Sequence, residues 1–120
     1  MAIEVQVVID CADPARLAAF WAKALHYQPD GATAVVDPEG AGPRFLFERV
    51  PEPKQVKNRM HVDLKLAGGQ RVPIEERKAP LQAEVERLTA LGASLVEPVE
   101  QAGEYWIVML DPEGNEFCIH

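Results

Sequence analysis

The sequence predicts an α+β domain in which two similar halves curve a mixed sheet around a ligand-sized cleft, with two helices on the outer face. Three observations carry that expectation. Two runs, Ile3 to Ile9 and Met60 to Leu66, alternate apolar and polar residues with the period of half-buried strands. The order strand, helix, strand, strand reads twice along the chain. The tetrapeptide Asp-Pro-Glu-Gly also recurs, at Asp37 to Gly40 and at Asp111 to Gly114, each time between two short β-like segments.

The elements follow in order. In the first run Ile3, Val5, Val7 and Ile9 point one way and Glu4, Gln6, Val8 and Asp10 the other. Asp13 is suited to cap a helix and Pro14 to open it. Leu17, Phe20, Trp21, Ala24 and Leu25 then recur at helical spacing, and the stretch Tyr27 to Gly31 ends the helix. Ala32 to Val36 and Arg44 to Val50 read as strands around the first Asp-Pro-Glu-Gly turn. The polar, proline-containing segment 51–57 reads as a linker between a first module, 1–50, and a second, 58–120.

In the second half Met60, Val62, Leu64 and Leu66 form the apolar face of a strand, and His61, Asp63 and Lys65 the polar one. A charged loop is expected over 68–79, with Gly68-Gly69 as a turn. Pro80 is read as opening a second helix with Leu81, Val85, Leu88 and Leu91 on one stripe, closed by Gly92. Ser94 to Val99, Tyr105 to Leu110 and Glu116 to Ile119 complete the strands.

Composition narrows the function. With 12 basic against 19 acidic residues the net charge is −7, which repels nucleic-acid backbones and anionic membrane surfaces. Two cysteines, Cys11 and Cys118, make no disulfide framework. The N-terminus shows no signal-like segment, and no apolar run approaches the roughly 20 residues of a membrane span. The expectation is a cytoplasmic protein with reduced thiols that binds a small molecule. Gly-rich phosphate loops, GxSxG, CxxC and HExxH are absent.

Strand parity selects the candidate residues. If the apolar faces meet the helices, Gln6 and His61, at equivalent places in the two halves, face the open side. Phe45 and Phe47 then turn inward and leave Arg44, Leu46 and Glu48 outside; Phe117 and Ile119 likewise leave Glu116, Cys118 and His120. One of Tyr105 and Trp106 faces the open side, where an aromatic ring stacks on a flat ligand; the other packs in the core. Arg44 suits a carboxylate or carbonyl oxygen, or is a rim charge.

The segments VVIDCADPARLAAFWAKAL, NRMHVDLKL, LQAEVERLTALGA and VMLDPEGNEFCIH resemble the vicinal-oxygen-chelate superfamily of glyoxalase, bleomycin-resistance and dioxygenase proteins. The resemblance implies paired βαβββ modules, a homodimer, and often one divalent metal ion held by a residue from each of four strands. Carried onto this sequence, the ligand positions fall on Gln6, Glu48, His61 and Cys118. Histidine is usual at the first of these and glutamate at the last. The implied activity is that of a metal-dependent lyase, isomerase or dioxygenase acting on adjacent oxygens. Glu48 and His61 would be catalytic, and Arg44 and Trp106 would bind substrate. The alternative is a metal-free protein that sequesters an antibiotic-like or hydrophobic molecule. For single residues the blander readings stand beside these: His61 as a solvent-facing strand residue, Glu48 as a partner of Arg49 or Arg59, and Cys118 as a small core residue.

Overall fold

The computed structural model describes residues 1–66 and 71–120. The expected turn at Gly68-Gly69 lies outside the described residues. The chain divides into two compact units, Met1–Gln55 and Val56–His120.

The first unit holds β1 (Gln6–Cys11), α1 (Pro14–Leu25), β2 (Gln28–Pro29), β3 (Ala34–Val36) and β4 (Arg44–Arg49). Its mixed sheet has the order β1-β4-β3-β2. β1 and β4 run parallel, from Gln6 opposite Arg44 to Cys11 opposite Arg49, and the other pairs are antiparallel. Parallel neighbours need a crossover, and α1 begins it directly after β1. The helix starts where the sequence says. Asp13 Oδ1 accepts from the Arg16 N–H at 3.2 Å, and Pro14 needs no donor in the first turn. It ends at Leu25, the last residue of the expected stripe, with His26 in the left-handed region (φ 56°) and the Tyr27 N–H donating back to the Ala22 carbonyl at 2.8 Å. Leu17, Phe20 and Trp21 bury the inner stripe against the sheet. Trp21 lies 6.2 Å from Phe45 between ring centroids, and Phe45 lies 6.5 Å from Phe47. Each such buried side chain contributes roughly 1.5–3 kcal/mol relative to exposure. Ile3 and Val5, expected inside the first strand, stand before it and are exposed.

The second unit repeats the plan: β5 (Val62–Leu64), α2 (Ile74–Leu91), β6 (Ser94–Gln101), β7 (Glu104–Leu110) and β8 (Glu116–Ile119), in the order β5-β8-β7-β6. β5 and β8 are parallel; β6, β7 and β8 form an antiparallel meander. Ala102 and Gly103, both with positive φ, make the two-residue turn between β6 and β7. Leu81 and Leu88 of α2 are fully buried, as are Met109 and Ile119 of the sheet. Gly92, at φ 119°, closes α2 as expected, and the Ala93 N–H donates to the Leu88 carbonyl at 3.0 Å.

The start of α2 corrects the sequence reading. The helix begins at Ile74, so Pro80 sits inside it rather than at its head. A proline there removes one donor and crowds the carbonyl four residues back, at a cost of about 3 kcal/mol. The first turns offset part of this cost. Glu75 and Glu76 favour the N-terminal end of the helix dipole, and Lys78 Nζ lies 2.9 Å from Glu75 Oε1. Arg77 continues the buried stripe one turn before Leu81; it is 4% exposed, and its Nε has no hydrogen-bond partner among the described residues.

The ladders match the parallel pair and its antiparallel neighbour in the two units residue by residue. Val35 and Met109 each stand two places before the aspartate of their turn, and pair with Phe45 and Phe117. Those phenylalanines pair in turn with Val7 and Val62 of the parallel strands. Gln6 therefore matches His61, as the sequence indicates. Cys118 matches Leu46, and Glu48 matches His120.

Candidate functional site

In the second unit Leu64 of β5, Ile107 and Met109 of β7, and Phe117 and Ile119 of β8 are buried in the core with α2. Period-2 alternation then turns His61, Asp63, Trp106, Val108, Cys118 and His120 to the opposite face. Asp63 and Cys118 are register partners across the parallel pair β5–β8, and Cys118 faces Val108 on β7. Neighbouring strands lie about 4.8 Å apart, so these side chains meet without any loop to place them. The ladder continues past the last strand residue: the His120 N–H donates to the Leu64 carbonyl at 2.8 Å, and the Leu66 N–H to the His120 carbonyl at 2.7 Å.

Asp63 is the centre of the arrangement. Its Oδ1 lies 3.2 Å from His61 Nε2, and its Oδ2 lies 3.4 Å from His120 Nε2. The ligand atoms of His61, Asp63 and Cys118 all lie within 4.8 Å of one another. The side chains of His61 and Asp63 are 42% and 39% exposed, while Cys118 is 7% exposed. Burial, and next the Asp63 carboxylate, push the Cys118 thiol above its usual range, with Lys57 opposing. Trp106 stacks on the His120 ring, 6.3 Å between centroids and tilted by 23°. Next to this group, Glu116 accepts from the Asn58 N–H through both oxygens at 3.2 Å.

In the first unit Gln6, Arg44 and Glu48 share the face opposite the buried Phe45 and Phe47. Arg44 donates through one terminal nitrogen to Gln6 Oε1 at 2.5 Å and through Nε to Asp30 Oδ2 at 2.9 Å. The amide oxygen of Gln6 is thus engaged by a cation of the chain itself. Glu48 is exposed and stands opposite Asp10 in the ladder.

Of the six residues singled out in the sequence, His61, Cys118 and Trp106 come together on one face of the second unit. Gln6 and Arg44 meet on one face of the first, and Glu48 stands on that face four residues further along β4. Asp63 and His120 were missed as functional residues. Both show the right parity in the sequence, but Asp63 there reads as a solvated neighbour of His61. Only the register shows it bridging two imidazoles beside a thiol.

Donor chemistry fits a divalent ion: two imidazoles, a carboxylate and a thiol are the common protein ligands of such metals. Two units of βαβββ order, each with a parallel outer pair and an antiparallel meander, are the architecture of the vicinal-oxygen-chelate superfamily. The chain belongs to the glyoxalase-like domain family within it, whose model matches residues 6–120. No curated protein sequence gives a significant match. Among solved structures, the chain is similar to a glyoxalase/bleomycin resistance protein/dioxygenase family enzyme from Burkholderia phytofirmans. That match has 20% identity and a TM-score of 0.71, over 95% of this chain and 94% of that one. It is also similar to the fosfomycin resistance protein FosX from Mesorhizobium loti (13% identity, TM-score 0.68, 100% and 92% covered). A FosX variant from Listeria monocytogenes, in complex with Mn(II) and a dihydroxypropylphosphonic acid, matches at 15% identity and a TM-score of 0.65, with 100% and 90% covered. At these identities the structural likeness shows the fold. No helix among the described residues is long and apolar enough to cross a membrane.

Proposed function

We propose that the chain is a metal-dependent glyoxalase-like enzyme, a lyase, isomerase or dioxygenase whose small-molecule substrate carries adjacent oxygens. One observation carries the reading: His61, Asp63 and Cys118 present three ligand atoms within 4.8 Å of one another on the sheet face opposite the core. A divalent ion held there supplies Lewis acidity to the substrate oxygens. The chain's own residues do the rest. His61, Asp63 and Cys118 hold the ion. Asp63 Oδ2 lies 3.4 Å from His120 Nε2, a contact that orients the carboxylate. Trp106, stacked on His120, offers a flat wall to a planar substrate.

In the first unit the proposal assigns Glu48 proton transfer and Arg44 recognition of a carboxylate or carbonyl oxygen. Gln6 serves as the hydrogen-bonded support of Arg44. Cytoplasmic residence and assembly as a homodimer complete the reading. Each four-stranded sheet ends in two edge strands, which favour pairing with a second copy.

The test is elemental analysis of untagged protein purified without chelator, alongside His61→Ala. The parent should carry about one equivalent of a divalent metal, and the variant should lose it. The fold should survive, because truncating a side chain this exposed usually costs within about 0.5 kcal/mol. A metal-free parent that binds the same small molecules with or without His61 would overturn the proposal in favour of a sequestering protein.

A further inference from the structure

Resting on the metal-dependent reading above, we infer that the ion is of the thiolate-preferring, zinc-like class, held by His61, Asp63 and Cys118 with one position left open to substrate. The first argument is donor type. A cysteine sulfur beside an imidazole selects zinc or a similarly borderline ion, whereas manganese and magnesium take oxygen-rich sites. The second is number. Three protein ligands leave a fourth position of a tetrahedral ion free, the pattern of catalytic rather than closed structural sites. The third is support. The two oxygens of Asp63 face different partners, Oδ1 toward His61 and Oδ2 toward His120. With Oδ1 on the ion, Oδ2 is held by His120, whose ring is fixed by Trp106. Outer partners of this kind orient a ligating carboxylate. His120 is therefore a positioning residue rather than a fourth ligand.

The backbone ladder sets two of the three ligands. Asp63 and Cys118 are opposed in the parallel pair, and His61 stands two residues before Asp63, just ahead of β5. Burial of Cys118 keeps the sulfur from solvent, and the half-exposed His61 and Asp63 leave one side accessible.

The experiment is X-ray absorption on the full chain loaded with Zn²⁺, and optical spectroscopy on the Co²⁺ form. One sulfur scatterer near about 2.3 Å, with nitrogen or oxygen at about 2.0–2.1 Å, is expected for zinc. Cobalt should show a sulfur-to-metal charge-transfer band. Cys118→Ser should abolish both sulfur signatures, and Cys118→Ser or Asp63→Asn should weaken Zn²⁺ binding at least tenfold. Circular dichroism identifies folded variants; Asp63→Asn, at a half-exposed site, keeps the test open if the cysteine variant unfolds. Zinc bound through nitrogen and oxygen only, or binding unaltered in Asp63→Asn, overturns this ligand set while leaving the metal-dependent reading in place. No binding of either metal overturns this ligand set, and a parent that also purifies without any divalent metal overturns the metal-dependent reading with it.

Discussion

Asp111→Ala should unfold the second unit far more readily, whereas Asp37→Ala, in the matching turn of the first, should do less than half as much. Asp111 is 3% exposed. Its Oδ1 accepts from the Glu113 N–H at 2.9 Å and the Asn115 N–H at 3.0 Å, and Asn115 Nδ2 approaches Oδ2 at 2.9 Å. Alanine leaves two backbone donors without their charged acceptor. Hydrogen bonds to charged groups contribute about 1.5–3 kcal/mol each, and these donors are half-buried, so the lower end applies to both. The expected loss is about 3 kcal/mol, a large part of the roughly 5–15 kcal/mol of a typical domain. Asp37 makes a similar set of bonds, to the N–H groups of Glu39, Ala41 and Gly42, but the first two are exposed, so water can replace the carboxylate there. Each unit carries one tryptophan, Trp21 in the first and Trp106 in the second. Urea titrations in Trp21→Phe and Trp106→Phe backgrounds therefore report each unit separately. Equal losses from the two aspartate variants, at unchanged m-values, would show that burial does not set the strength of this turn.

Two further predictions concern the first unit. A Cβ on Gly42 would stand 2.2 Å from the Tyr27 hydroxyl and 3.3 Å from its ring, which packs edge-on against Phe45. Gly42→Ala should cost about 1–3 kcal/mol as an overpacking defect, and Tyr27→Phe should recover part of it; strict additivity in the double variant would exclude this contact as the cause. The Asp37 carboxyl is held below its usual range by the Glu39 and Gly42 N–H groups, against some desolvation. Its folded form favours the charge, so its contribution is complete above the ordinary carboxylate range, about pH 4, and is lost as pH falls through the lowered value. The stability gap between parent and Asp37→Ala should hold from pH 7 to 5 and close under acid. A gap that persists near pH 2 would contradict it.

Local signals were read correctly where one residue decides the outcome. Asp13 and Pro14 cap and open α1, and Gly92 closes α2. What escaped depends on partners distant in sequence. A proline usually marks a helix head, yet Arg77 joins the buried stripe of Leu81 and holds one further turn before it. The two-residue strand β2 (Gln28–Pro29) is too short for any period and exists only through its pairing with Val35 and Val36. Asp63 looks like solvated polarity until the β5–β8 register sets it against Cys118.

The same register explains why the two halves differ in chemistry while agreeing in fold. At helix-facing places the copies stay apolar: Val7 with Val62, Ile9 with Leu64, Phe45 with Phe117, Phe47 with Ile119. At the open-face places they change class. His61, Asp63, Cys118 and His120 stand where the first copy has Gln6, Val8, Leu46 and Glu48. A core position must be apolar and about the right size or the unit does not pack. An open-face position meets no such demand, so duplication leaves it free to take up a different chemistry. The first copy, with valine and leucine where the second has aspartate and cysteine, keeps a glutamine bound to Arg44 and an exposed carboxylate. On the open face, the imidazoles and the thiol are gathered in the second. Asymmetry between equal scaffolds therefore locates the proposed metal ligands by a criterion independent of any likeness to other proteins.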